Sequence, residues 1–207
     1  MPGKTASPNF LSTPCTAFSG NRRIAKGELV EVALAIKAAE TEEPVLTFND
    51  MNGAVIDLDL RGTTAEIITR LTKEGERRTL AAAPHTEEGP ESTRPRGRPR
   101  LGVVAREVTL LPRHWEWLAA QPGGASQALR RLVEKARHAD NGQTETKAAR
   151  ERTYRFLSAL AGDLPGFENV IRALFAGEED VFAHRMETWP EDIKAHAQEL
   201  LHPSFQQ

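Results

Sequence analysis

The sequence predicts an α+β protein, and three observations carry that prediction. Apolar residues recur at the 3.6-residue helical period in several separate segments, two short strand-like runs flank Asn52-Gly53, and residues 79–100 carry no apolar period at all. Together they divide the 207 residues into a small N-terminal α+β unit, a basic flexible linker, a strand-helix-helix element and a C-terminal helical region. The expected boundaries are 1–12 for a flexible tail, 13–78 for the α+β domain and 79–100 for the linker. Residues 101–140 then form the strand-helix-helix unit, and 141–207 form a helical region packed against it.

In the first domain a strand is expected at Thr16 to Ser19. Leu29, Val32, Ala33 and Ile36 then form one helical stripe that ends near Glu40. Val45 to Phe48 and Ala54 to Leu60 read as a hairpin, because Asn-Gly tolerates the positive φ that a tight turn needs. Ile56, Leu58 and Leu60 alternate with Asp57 and Asp59, so one face of the second strand is apolar and the other wet. Thr63 and Glu66 have the spacing of a capping box ahead of Ile67, Ile68 and Leu71.

After the linker, Val103 to Leu111 reads as a strand and Pro112 as the start of a helix containing Trp115, Trp117 and Leu118. Pro122-Gly123-Gly124 ends that helix. The next runs from about Ala125 to His138 and is closed by Asp140-Asn141-Gly142. Since Trp115 and Trp117 are two apart and cannot share a helical face, one is expected in the core and the other at an interface. In the tail, Phe156, Leu157 and Leu160 form one stripe; Phe167, Val170, Ile171, Leu174 and Phe175 form a second that ends at Gly177. Thr188, with Glu191 three residues on, is the expected cap of the last helix, and Pro190 falls near its first turn.

The chain's 39% hydrophobic and 27% charged residues, with a mean hydropathy of -0.47, are those of a globular protein. Its net charge of -2 excludes a global field that would drive it to DNA or to an anionic membrane. The distribution is uneven, however: residues 1–93 are net -4, residues 94–152 net +7 and residues 153–207 net -5. One cysteine, Cys15, permits no internal disulfide, and neither a signal peptide nor an apolar run of membrane-spanning length is recognisable, so the expected location is the cytoplasm.

Within the basic segment, Pro95-Arg96-Gly97-Arg98-Pro99-Arg100 resembles the core of an AT-hook. Glycine lets the backbone approach the floor of a narrow minor groove, proline keeps the chain extended, and guanidiniums seek the strong negative potential of AT-rich tracts. An Arg-, Pro- and Gly-rich linker kept for solubility has the same composition. The order of strand, Pro-led helix, glycine turn and basic helix that follows resembles the ribbon-helix-helix repressors. Their strand pairs with that of a second chain and enters the major groove. That resemblance implies that either Arg106, Val108 and Leu110 or Glu107, Thr109 and Leu111 face DNA, although neither set alternates cleanly between polar readers and core. It also implies that Ser126, near a helix N-terminus, meets a phosphate, with Arg130 and Arg131 beside it. The nucleic-acid-binding residues expected from both resemblances are Arg96, Gly97, Arg98, Arg100, Arg106, Ser126, Arg130 and Arg131; the expected partners are AT-rich duplex DNA and a second copy of the chain.

Catalytic signatures are lacking in the sequence. The six histidines form no zinc-binding spacing, His184 and Glu187 read as a surface pair, and Asp57 and Asp59, with Asp50 nearby, read as a solvated face. Cys15 reads as a small buried residue, and no phosphate loop, nucleophile elbow or dinucleotide fingerprint is present. Neither an enzyme nor a cofactor or metal is therefore expected. The alternative to DNA association is a protein-interaction or assembly module, suggested by the acidic flanks, the apolar tail helices and the tryptophans.

Four segments carry a wider resemblance: Thr16-Ala-Phe-Ser-Gly-Asn-Arg-Arg-Ile24, Val55-Ile-Asp-Leu-Asp-Leu-Arg-Gly62, the stretch from Gly97 through Val103-Val-Ala-Arg-Glu-Val-Thr-Leu-Leu-Pro-Arg-His-Trp-Glu-Trp-Leu118, and Ala161-Gly-Asp-Leu-Pro-Gly-Phe167. Together they look like an uncharacterised bacterial family, domain of unknown function 2239, over most of residues 13–202. The resemblance implies a bacterial protein and brings no activity, ligand or catalytic residue with it.

Overall fold

The computed structural model describes residues 10–39, 41, 43–82 and 107–203. Their contacts form two compact units: residues 1–84 together with 144–207, and residues 85–143. The fold is α+β, with four strands and eight α-helices among the described residues.

The first unit is built on an antiparallel sheet of order β2-β1-β3-β4, with β1 at Pro14–Ser19, β2 at Arg22–Glu28, β3 at Val45–Asn49 and β4 at Val55–Ile56. Five of the six β1 residues are buried, so this strand is covered on both faces. Its alternation sorts them. Cys15 and Ala17 join a core with Leu29, Val32, Ala33 and Ile36 of helix α1 (Leu29–Ala38) and with Ile67 and Leu71 of helix α2 (Thr64–Ala82). Phe18, together with Phe48 of β3, joins the other core, made by helices α5 (Gln143–Leu160), α6 (Phe167–Ala176), α7 (Glu179–Arg185) and α8 (Glu191–Leu201).

Residues from both 13–78 and 141–207 thus lie in the first unit and share a core. Phe156 of α5 lies 5.3 Å from the Phe18 ring and 4.9 Å from the Phe48 ring. The tail helices pack on the sheet because it has a second apolar face, contributed by Phe18 and Phe48 with Leu46 half-buried beside them. The β3–β4 turn also meets α5: Gly53 has φ +69°, and a Cβ there would fall well inside contact distance of the Arg152 carbonyl oxygen. Arg152 is itself buried; its Nε donates to the Leu200 carbonyl at 2.6 Å and an Nη to Glu145 at 2.9 Å.

Several local expectations hold. The Asn52-Gly53 turn joins β3 to β4, Gly177 caps α6 at φ +76°, and Thr63 and Glu66 exchange the capping-box hydrogen bonds. Others are corrected. The strand expected at Ala54 to Leu60 ends at Ile56; beyond it Asp59 pairs with Arg61, and the Asp59 and Arg61 carbonyls accept from Arg70 while Leu58 and Leu60 still pack on the α1–α2 side. Thr188 does not cap α8, whose N-cap is Pro190; the preceding residues form a turn held by Trp189, whose indole donates to the Pro165 carbonyl at 2.9 Å. Strand β2 and helix α7 were not anticipated.

The second unit contains helices α3 (Pro112–Ala119) and α4 (Gly124–Asp140), packed together across a turn in which Gly123 and Gly124 have φ of +83° and +73°. Of the strand expected at Val103 to Leu111, residues 103–106 lie outside the described residues and 107–111 are not a strand. Leu111 is extended as the N-cap of α3, with Pro112 following. Neither Trp115 nor Trp117 is core: they are 42% and 51% exposed, whereas Leu118 and Ala128 are buried. Two short helices enclose too little volume for an indole.

Candidate functional site

Two places in the molecule carry polar chemistry that the fold alone does not require. The first is α4. At 100° per residue, Ser126, Arg130, Arg131, Lys135, Arg137 and His138 fall on one half of the helix, and all six are exposed; Leu129, Leu132, Val133 and Ala136 take the other half. Arg130 donates to the Ser126 hydroxyl at 3.0 Å and Arg131 to the Gln121 side-chain oxygen at 3.4 Å. Glu134 interrupts the basic face, within 3.5 Å of Arg137 and 3.2 Å of His138. The structure thus brings together three of the expected binding residues, Ser126, Arg130 and Arg131. The other five, Arg96, Gly97, Arg98, Arg100 and Arg106, lie outside the described residues.

The second place lies under α8, against the sheet. Alternation places Thr16 on the Phe18 face of β1, with Lys26 opposite it on β2. Thr16 donates to Asp50 Oδ2 at 2.9 Å, and Asp50 is held just past β3 by its own amide, which donates to the Pro14 carbonyl. His196 of α8 is 1% exposed, with its ring 5.4 Å from that of Phe18 and 4.7 Å from that of Phe156. Its Nε2 is 3.6 Å from Asp50 Oδ1 and its Nδ1 3.5 Å from Glu199 Oε2. Both distances are long for a hydrogen bond, and these ring nitrogens and Asp50 Oδ1 are buried with no hydrogen-bond partner.

Electrostatics at this cluster follow from burial. Desolvation pushes the Asp50 carboxyl up to about 6, against the Thr16 hydrogen bond and the Lys26 and Arg23 charges. Desolvation also pushes His196 down to about 4, against the pull of Glu199. Burial opposes ionisation of Glu199 as well, but hydrogen bonds from Lys26 at 2.6 Å and Arg23 at 3.0 Å bring it down to about 2. Sequence reasoning named Asp50 only as a neighbour of Asp57 and Asp59, and gave His196 no role. The available signal was the apolar spacing of Ile193, Ala197 and Leu200, which puts His196 on the buried face of α8.

The family model described as "Uncharacterized protein conserved in bacteria (DUF2239)" matches residues 14–201. The chain belongs to that family. The match covers the segments from Thr16 to Phe167 that carried the resemblance, and the family description names no activity. No curated protein and no solved structure matches the chain.

The remaining candidates in this DUF2239 chain have local structural explanations. Asp59 is held below the usual carboxylate range by hydrogen bonds from Arg61, and His184 pairs with Glu187 at 3.0 Å on the surface. Burial, with Asp50 nearby, pushes the Cys15 thiol up to about 12, which favours the protonated form. Among the described residues no group of three His, Cys, Asp or Glu is placed to hold a metal, and no helix is long and apolar enough to cross a membrane. An open cleft of about 870 Å³ lies between the β1–β2 turn and the start of α8, lined by Arg22, Thr41, Glu43, Glu191 and Asp192 among others.

Proposed function

We propose that this DUF2239 protein is a cytoplasmic, DNA-associated regulatory protein that acts by binding rather than catalysis. It uses the Arg96–Arg100 hook and the basic face of α4. The observation that carries the reading is the concentration of charge. Residues 94–152 hold the chain's +7 surplus, and within them α4 keeps Arg130, Arg131, Lys135 and Arg137 exposed on one half of its surface. A face of this kind supplies salt-sensitive phosphate contacts, while an extended Arg-Gly-Arg supplies preference for a narrow AT-rich groove.

The test separates the two parts. Replacing Arg96, Arg98 and Arg100 with alanine should lower affinity for AT-rich duplex selectively and flatten the log-log salt dependence by about three. Replacing Arg130 and Arg131 should weaken AT-rich and GC-rich duplexes alike. Unchanged affinity in both variants rejects the assignment.

A second reading, an assembly module without nucleic-acid binding, is favoured by a specific observation. Trp115, Trp117, Leu132 and Val133 are each between 42% and 57% exposed on α3 and α4. A stable oligomer by solution mass, combined with no duplex affinity, selects that reading.

A further inference from the structure

The Asp50–His196 contact has a proton-counting problem. Each ring nitrogen of His196 faces a carboxylate oxygen, and a neutral imidazole has one N–H. If that N–H serves Glu199, then Nε2 and Asp50 Oδ1 are two acceptors facing each other across 3.6 Å in a buried place, unless one further proton sits between them.

We propose that a proton held between Asp50 Oδ1 and His196 Nε2 latches the β3–β4 turn onto helix α8, and that loss of this proton releases the turn. His196 is the fixed side of the latch, because its ring is packed between Phe18 and Phe156. Asp50 is the moving side: its amide donates to the Pro14 carbonyl at 2.9 Å, and the turn that follows it is closed by Gly53 N–H to Asn49 C=O at 2.7 Å and rests on the Arg152 backbone. The surrounding charges are Arg23 and Lys26 from β2 and Glu199 from α8 itself; from β1, Thr16 donates to Asp50, and the buried Cys15 raises no thiolate against it. From α5, Arg152 is committed to Leu200 and Glu145, and Arg155 reaches the Asn52 carbonyl. A carboxylic acid facing a neutral imidazole leaves no net charge on the pair in the closed latch.

The direction follows from linkage. An Asp50 that takes up a proton at about 6 when the turn is docked, and near the ordinary 3.8 when it is not, favours docking as the pH falls. Between about pH 7.5 and about pH 5 that difference amounts to roughly tenfold in the docking equilibrium.

Amide hydrogen exchange on the full chain, corrected for the intrinsic pH dependence of exchange, reads this directly at Asn52 and Gly53. Protection should rise roughly tenfold from about pH 7.5 to about pH 5, and the ¹⁵N resonance of His196 Nε2 should shift with the same midpoint. Asp50→Asn places an N–H donor against Nε2 at every pH while keeping an acceptor for Thr16, so it should hold the turn at the acid level throughout. Turn protection that ignores pH in the wild type, a His196 nitrogen that does not move with it, or a pH response of Asn52 and Gly53 protection retained in D50N between about pH 7.5 and about pH 5 would each overturn the latch. If D50N does not fold, the wild-type exchange and nitrogen titrations decide alone.

Discussion

Truncating Phe156 to alanine tests whether the N-terminal sheet and the tail helices are one cooperative body. Phe156 is fully buried, more than a hundred residues from either strand phenylalanine, and its ring meets those of Phe18, Phe48 and His196 at 5.3, 4.9 and 4.7 Å. Removing a buried Phe side chain costs about 3–5 kcal/mol, from lost transfer free energy and the cavity left behind. The edge-to-face geometry with Phe48 puts this site toward the upper part of that range. With a urea slope of about 2 kcal/mol/M, a loss of about 4 kcal/mol lowers the unfolding midpoint by about 2 M. Urea unfolding followed by exchange mass spectrometry gives both numbers. In F156A, peptides covering Pro14–Ser19 and Val45–Asn49 should lose protection at the same lowered midpoint as those covering α5 and α8. A variant in which only the tail helices are destabilised, with the strands holding their wild-type midpoint, would refute the shared core.

Gly53→Ala should destabilise the same unit by more than about 1–2 kcal/mol, since φ +69° costs an L-residue that much and the methyl group also meets the Arg152 carbonyl; thermal unfolding checks it. Two buried groups make opposing contributions to the pH dependence of global stability. Asp50, raised to about 6, contributes stability that is complete below about 3.8 and lost as pH rises through 6, whereas His196, lowered to about 4, contributes stability complete above about 6.5 and lost as pH falls through 4. The two swings, each on the order of 3 kcal/mol, offset in the wild type. Relative to it, D50N should lose stability between pH 6.5 and 4 and His196→Phe should gain, as measured by urea midpoints across that window. Cys15 should resist a thiol reagent in the native protein and react only on unfolding, because it is buried and its thiol is held at about 12; rapid native labelling would contradict its place beneath α1 and α2.

What was legible in the sequence was local. The Asn52-Gly53 turn, the Thr63–Glu66 box and the Pro112 helix start all depend on residues within four positions of one another, and all three appear as expected. Strand β2 was missed because Arg-Arg-Ile-Ala-Lys-Gly-Glu has the charge of an edge strand rather than an alternating pattern. The helical layer behind β1 was missed because Phe18 and Phe48, the two residues that need it, are separated by thirty positions and look like ordinary strand residues one at a time. The buried cluster failed for the same reason: Asp50 and His196 are 146 residues apart, and the pairing exists only once α8 lies on the sheet. On α4 the basic face was readable because a helix displays its own periodicity, whereas the exposure of Trp115 and Trp117 reflects how little the α3–α4 pair encloses among the described residues.

The proposed association with DNA through the basic middle segment is read by fluorescence anisotropy of the purified full-length chain. The probes are AT-rich and GC-rich duplexes of about 20–30 base pairs across a salt series, since phosphate contacts make affinity fall steeply with salt. Tighter binding of the AT-rich duplex with a clear salt slope is the expected result; no binding to either duplex at about 50 mM salt rules out the proposed DNA association.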